Sequence, residues 1–358
     1  MKTIIIHPSE FLPASVANEI RNESFKAEQE RNLSALQLNH IRHQGWFNMY
    51  VPKQFGGLEL SLPEILRIEE GLGWVDGSTG WVVTLCGGAA WFIGFLDFQL
   101  AQEVFKNEWV CFAGSGAMTG TANKTDAGYE INGYWKYATG SLLATVLTVN
   151  CHVKENGVPQ YNSDGSPVVT SFLLKKDEVK IHPTWNSMGM IATGSHAMEV
   201  SKMVVPLNRS FIIQPSHAKL NQPVFQYPFL QLAETTLAVN LSGMAYRFLD
   251  ICSDVISKKD KAYLNQIIQD SRTMFNSIRS DFFVHTDVAW EALVSKKNIP
   301  EPMLQQVSLV SSQLVHFSRE LVNDLYSYCG LEAADTLTEM NRVWRNFHTA
   351  AQHSLFSR

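Results

Sequence analysis

Two side chains in the second half of the chain can move a proton. His353 ends the stretch Arg342-Val-Trp-Arg-Asn-Phe-His-Thr-Ala-Ala-Gln-His353, and an unperturbed imidazole titrates closest to neutrality. It reads either as an acid/base or as a surface histidine near the chain end. Glu234 falls at the start of a long helical pattern, where a carboxylate is a favourable partner for the helix dipole. A third candidate is backbone: Phe112-Ala-Gly-Ser-Gly116 carries glycines that let main-chain amides approach a ligand. No Gly-x-Gly-x-x-Gly, Walker A or Gly-x-Ser-x-Gly sequence is present, so no nicotinamide, nucleoside triphosphate or serine-hydrolase site is indicated. The five cysteines Cys86, Cys111, Cys151, Cys252 and Cys329 are dispersed and odd in number, which predicts neither disulfides nor a metal site. Redox chemistry would need electrons from a bound cofactor or a partner protein.

These candidates need a large scaffold, and 358 residues with 45% apolar and 18% charged side chains supply one. A net charge of -5 gives no reason to expect nucleic acid or an anionic membrane as partner. The apolar run at the N-terminus is too short for a signal peptide and no later stretch reads as a membrane span, so a cytoplasmic protein is expected. Apolar residues at helical spacing mark Pro13 to Gln44, then a helix opened by a Ser61/Glu64 capping box, then an almost uncharged helix from Gly80 to Phe95 that must be buried all round. Strand language fills Trp109 to Pro206. There Tyr129/Ile131 and Trp135/Tyr137 alternate about Asn132-Gly133, predicting a hairpin. Long amphipathic helices follow over Leu230–Ile256, Asn265–Val294 and Met303–Tyr328, with Gly330 as a C-cap and a last helix or pair of helices before the end. The expected architecture is α+β: an N-terminal helical domain over 1–108, a middle β-barrel domain over 109–210 and a C-terminal helical bundle over 211–358.

Four motifs in order carry a resemblance: Tyr50-Val-Pro-Lys-Gln-Phe-Gly-Gly57, Glu69-Glu70 followed by Asp76-Gly-Ser-Thr-Gly-Trp81, the Gly128 to Gly140 stretch, and Trp185-Asn-Ser-Met-Gly-Met-Ile-Ala-Thr-Gly-Ser195 leading to Val204-Val-Pro206. Together they resemble the acyl-CoA dehydrogenase superfamily over essentially the whole chain. Gly80-Trp81-Val82, Thr193-Gly194-Ser195 and the Arg342–His353 stretch are most similar to its two-component flavin-dependent monooxygenases, of the 4-hydroxyphenylacetate hydroxylase and dibenzothiophene monooxygenase type. Their tail usually reads Arg-x-Trp-Arg-Asp, and Asn346 stands here in place of the aspartate.

The resemblance implies FAD or FMN as cofactor, a small organic substrate, a separate flavin reductase and a homotetramer or dimer. It places Thr139 near flavin N5 with Tyr137 covering the ring, Trp185 and Ser195 flanking it, and Phe112, Ala113, Gly114 and Ser115 where the dehydrogenases bind flavin and acyl chain. It makes His353 the acid/base. The glutamate that serves the dehydrogenases as base would fall at Ser354, and no Tyr-Glu-Gly is present. The alternative is an acyl-CoA dehydrogenase with Glu234 as base, or a silent flavin-binding homologue.

Overall fold

The computed structural model describes residues 6–107, 109–259 and 261–356; the N-terminal apolar run lies, apart from Ile6, outside them. The first third is helical: α1 (Ala14–Glu30), α2 (Ala35–His43), α3 (Leu62–Val75), α4 (Gly77–Ala90) and α5 (Phe98–Val104). The Ser61/Glu64 capping box forms as the sequence predicts. The Ser61 amide donates to Glu64 Oε2 at 2.8 Å and the Ser61 hydroxyl to the same oxygen at 2.6 Å, and these bonds hold the Glu64 carboxyl below its usual pKa. Asp76 caps α4, accepting from the Thr79 amide at 2.8 Å.

α4 and the 3-10 turn after it make Gly77–Phe95, which is long and apolar enough to cross a membrane but is 89% buried within the protein. By length and composition it departs from the expectation that no stretch reads as a membrane span. The uniform apolarity is that of a helix covered on every side.

The strands follow as β1 (Phe112–Gly114), β2 (Gly120–Thr125), β3 (Gly128–Ala138), β4 (Val146–Glu155), β5 (Val158–Pro159), β6 (Val169–Lys175), β7 (Lys180–His182), β8 (His196–Val205) and β9 (Ser210–Phe211). They form one mixed sheet in the order β7-β8-β3-β2-β4-β6-β9, with β1 and β5 both on β4. β1 and β2 run parallel to β4 and the other pairs are antiparallel. Among the described residues no ladder joins β7 to β9. Trp135, Leu147, Phe172, Leu174 and Met198 make the sheet's own core, all fully buried.

The expected hairpin at Asn132-Gly133 does not form. β3 runs straight through that step, and the turn lies at Asp126-Ala127, where Thr125 pairs with Gly128. Asn132-Gly133 instead sits at a register shift against β8. A Cβ on Gly133 would meet the Gly120 Cα at 2.7 Å and the Trp135 ring at 2.6 Å, so this glycine serves close packing between strands, not a turn. Pairing on both sides of β3 overrode the local signal.

The last part contains α6 (Phe229–Ser257), α7 (Ala262–Lys296), α8 (Glu301–Cys329), α9 (Leu331–Ala334) and α10 (Glu339–Ala350). α6 crosses α3 so closely that a Cβ on Gly243 would sit 2.1 Å from the Glu70 carbonyl oxygen. Gly330 closes α8 at φ 69°.

An ion pair inside the helices ties α3 to α7. Arg279 donates from Nε to Glu70 Oε1 at 2.8 Å and from Nη2 to Oε2 at 2.7 Å, and the Ser242 hydroxyl adds 2.6 Å to Oε1. Both partners are at most 1% exposed. The neighbouring Glu69 is also fully buried, and neither of its carboxyl oxygens has a hydrogen-bond partner among the described residues. Desolvation holds its pKa well above the carboxylate range. The buried Tyr50 phenol is likewise pushed up, by burial first and then by Glu69.

Two stability measurements follow. Arg279→Met leaves Glu70 charged and alone in the core and should cost about 3–5 kcal/mol in denaturant unfolding, much of it recovered when Glu70→Leu is added; equal losses in the single and double variants would show that the pair carries no desolvation problem. Glu69 keeps a proton in the folded state that the unfolded chain releases. The proton linkage therefore costs nothing below the unfolded pKa of about 4.3, and destabilises by about 1.4 kcal/mol per pH unit as pH rises from there towards the folded pKa. Glu69→Gln should match the parent near pH 4 and exceed it increasingly towards pH 7; a pH-independent difference would mean that Glu69 is ionised when folded.

Candidate active site

The end of β3 brings the flavin candidates together. Tyr137 takes a left-handed φ of 65° at the second register shift against β8. Its ring is 68% exposed and lies edge-on to the half-buried Trp185 ring, centroids 6.1 Å apart. Beyond it the Thr139 hydroxyl lies 2.9 Å from Ser195 Oγ, Ser195 Oγ lies 2.7 Å from Thr193 Oγ1, and Thr193 donates to the Met190 carbonyl at 2.9 Å. All three hydroxyl residues are buried.

The backbone repeats the link. Gly140 N donates to the Thr193 carbonyl at 2.9 Å, Ser141 Oγ donates to the Gly194 carbonyl at 2.9 Å, and Lys176 Nζ donates to the Ser141 carbonyl. Gly140, at φ 71°, rests on α4: a Cβ there would fall 2.5 Å from Cys86 Sγ.

The segment 185–195 is pinned from outside. Trp185 Nε1 donates to the Met190 carbonyl at 2.8 Å, and Arg31, just past α1, donates to the Trp185 carbonyl at 2.5 Å. From α10, Asn346 Oδ1 accepts the Met190 amide at 2.6 Å, and Arg345 donates to the Met188 carbonyl at 2.7 Å while also pairing with Glu28. A Cβ on Gly189 would lie 2.0 Å from the Arg345 carbonyl oxygen. Asn346 thus keeps the oxygen acceptor that an aspartate would offer there, without its charge. His196 accepts the Trp185 amide on Nδ1 at 3.1 Å. Burial, then Arg31, lowers its pKa, so it is neutral at pH 7, as that bond requires.

His353 lies just beyond α10, its ring edge-on to Trp81 of α4 with centroids 6.0 Å apart. Burial depresses its pKa. Its Nδ1 accepts the Leu355 amide over a long 3.4 Å, so the neutral ring carries its proton on Nε2. Trp81 and Cys86 are both on α4, which therefore backs His353 at one point and the Thr139 turn at another.

The structure does not bring Glu234 to this group. It accepts from Ser308 of α8 at 2.5 Å, and among the described residues no hydrogen bond or ring contact joins it to the β3–β8 set. Phe112–Gly114 is strand β1, hydrogen-bonded along β4. Phe112 and Ala113 point into core, with Phe112 stacked on Phe105 at 5.7 Å, and a Cβ on Gly114 would lie 2.2 Å from Thr148 Oγ1. Only Ser115 reaches the site edge, donating to the Lys136 carbonyl at 2.8 Å. Sequence reasoning missed Thr193, Ser141 and Arg31 as supports of the site. The Thr193-Gly194-Ser195 triplet was the signal available for the first.

Residues 228–358 match the family model described as Acyl-CoA dehydrogenase, C-terminal domain. The match covers α6 to α10, and the fold of the whole chain is similar to that of the solved structure below. The curated relatives carry monooxygenase or hydroxylase names. Indole-3-acetate monooxygenase of Pseudomonas putida is 25% identical over 338 residues, covering 91% of this chain and 85% of that protein. Flavin-dependent monooxygenase, oxygenase subunit HsaA, of Rhodococcus jostii (strain RHA1) is 24% identical over 362 residues, covering 94% and 91%. Among solved structures, the HsaA monooxygenase from M. tuberculosis superposes with a TM-score of 0.88 at 23% identity, covering 96% of this chain and 91% of that one.

Asn346→Leu should strand the buried Met190 amide and cost about 1–3 kcal/mol in denaturant unfolding; an unchanged midpoint would show that α10 does not hold the 185–195 segment.

Proposed function

We propose that this protein is the oxygenase component of a flavin-dependent monooxygenase, inserting one atom of dioxygen into a small organic substrate at the expense of reduced flavin. The observation that carries this reading is the pairing of a buried hydroxyl, Thr139, with the exposed Tyr137 ring and the Trp185 edge on one rim. That arrangement suits a flat heteroaromatic group with a polar edge. Reduced flavin, when bound, supplies the two electrons and the activation of dioxygen. Thr139 meets its polar edge with Ser195 beside it, Tyr137 and Trp185 cover and flank its ring, and Ser115 borders the site. FAD and FMN both suit these contacts.

His353 is the acid/base. Neutral at pH 7 because burial disfavours its cation, it offers a proton from Nε2 and is backed by Trp81. Glu234 we read as a tie between α6 and α8 through Ser308, which speaks against the dehydrogenase alternative, where it would be the base. In keeping with this reading, reduced flavin comes from a separate reductase, and the protein is a cytoplasmic homo-oligomer, dimer or tetramer. The chain divides at about residues 108 and 210 into helical, β-barrel and helical-bundle domains.

The test supplies the protein with reduced FMN or FAD, isotopically labelled dioxygen and a panel of small aromatic substrates. A product carrying one labelled oxygen is expected, and His353→Ala should lower its formation about a hundredfold with flavin affinity intact. Anaerobic bleaching of oxidised flavin by an acyl-CoA, with no oxygenated product, would replace this reading with the dehydrogenase.

A further inference from the structure

On the reading that flavin lies against Thr139, we propose that Ser195 and Thr193 are positioning residues that fix the Thr139 hydroxyl as a hydrogen-bond acceptor. The site thereby favours the reduced flavin, which carries a hydrogen on N5, over the oxidised form, which carries a lone pair there.

Three oxygen–oxygen contacts run in series: Thr139 to Ser195 at 2.9 Å, Ser195 to Thr193 at 2.7 Å, and Thr193 to the Met190 carbonyl at 2.9 Å. Two oxygens at such distances with no hydrogen between them repel, so each contact holds one hydrogen. Three hydroxyls supply three hydrogens, and a carbonyl supplies none.

The assignment is therefore unique. Thr193 spends its hydrogen on Met190, so the Ser195–Thr193 contact must use the hydrogen of Ser195. The Thr139–Ser195 contact must then use the hydrogen of Thr139. Burial of Thr139, Ser195 and Thr193 to 5%, 4% and 1% exposure keeps bulk water from rewiring the chain. Its far end is fixed as well, because Trp185 Nε1 also bonds the Met190 carbonyl and Asn346 holds the Met190 amide.

Thr139 Oγ1 is left with lone pairs only on its remaining side. Such an oxygen accepts from an N–H and repels a bare ring nitrogen. The same serine and threonine hydroxyls in the opposite sense would present a hydrogen and favour oxidised flavin, so the choice lies in the single carbonyl that ends the chain.

The experiment is anaerobic equilibrium binding of oxidised and reduced FMN to the unaltered protein and to Ser195→Ala, Thr193→Val and Thr139→Val. Removing the inward acceptor in Ser195→Ala frees the Thr139 hydrogen to turn outward. The ratio of oxidised to reduced dissociation constants should then fall about tenfold, with a gain in oxidised-flavin affinity that structural damage would not produce. Thr193→Val releases the Ser195 hydrogen towards Thr139 and should shift the ratio the same way. Ratios unchanged in both variants, with both flavins still bound, would overturn the polarity and leave the flavin site standing. Unchanged affinities in Thr139→Val would show that flavin does not lie against Thr139 and would remove both readings.

Discussion

The backbone of α10 presses directly on Gly189, with no room for even a methyl group between that residue and the Arg345 carbonyl oxygen. This contact joins the C-terminal helices to the segment between β7 and β8. Met190 takes a left-handed φ of 55°, an uncommon conformation for a residue with a side chain, and its amide is claimed by Asn346. Arg345 adds a second tie through Met188 and reaches on to Glu28 of α1. The hydroxyls of Thr193 and Ser195 are placed by what α10 does a few residues earlier. Helices from both ends of the chain thus set the geometry of a site built mainly on the sheet.

The helical parts hold together by a different means. α3 and α6 approach closely at Gly243, and the Glu70–Arg279 pair adds α7 to them through charges that have lost their water. A buried pair of this kind gains little net stability over apolar residues of similar volume, but it is expensive to break. Its position allows one arrangement of the three helices and penalises others. Glu69, one residue away, shows the other outcome for a buried carboxyl. Without a cationic partner it keeps its proton.

What the sequence made legible was mostly local. The Ser61/Glu64 capping box, the left-handed Gly330 and the all-round burial of α4 follow from signals within one or two turns of helix, and each is present. Gly243 was readable because a glycine inside an apolar helix already implies a close neighbour. The expected hairpin fails because of distant partners. Asn132-Gly133 would turn in an isolated hairpin, but β2 and β8 hold β3 extended on both sides. Phe112–Gly114 has glycine-loop composition, yet β4 recruits it as a strand. Glu234 sits where the resemblance puts a base, and only the packing of α8 shows that Ser308 already holds it. Tyr137, Thr139, Trp185 and Ser195 were singled out through resemblance; the bond between Thr139 and Ser195 spans more than fifty residues and leaves no periodic trace.

The burial of α4 also bears on how the chain is made. Its cover comes from α3, from β1, from α6 and from α10, and of these only α3 precedes it in the sequence. On the ribosome, the 19 apolar residues of Gly77–Phe95 emerge long before α6 and α10 exist to shield them, an interval on the order of ten seconds or more at ordinary rates of synthesis. Through that interval the segment is as suited to a hydrophobic groove of a chaperone, or to another nascent copy of itself, as to its final place. The most secluded helix of the finished protein is therefore its greatest liability while unfinished.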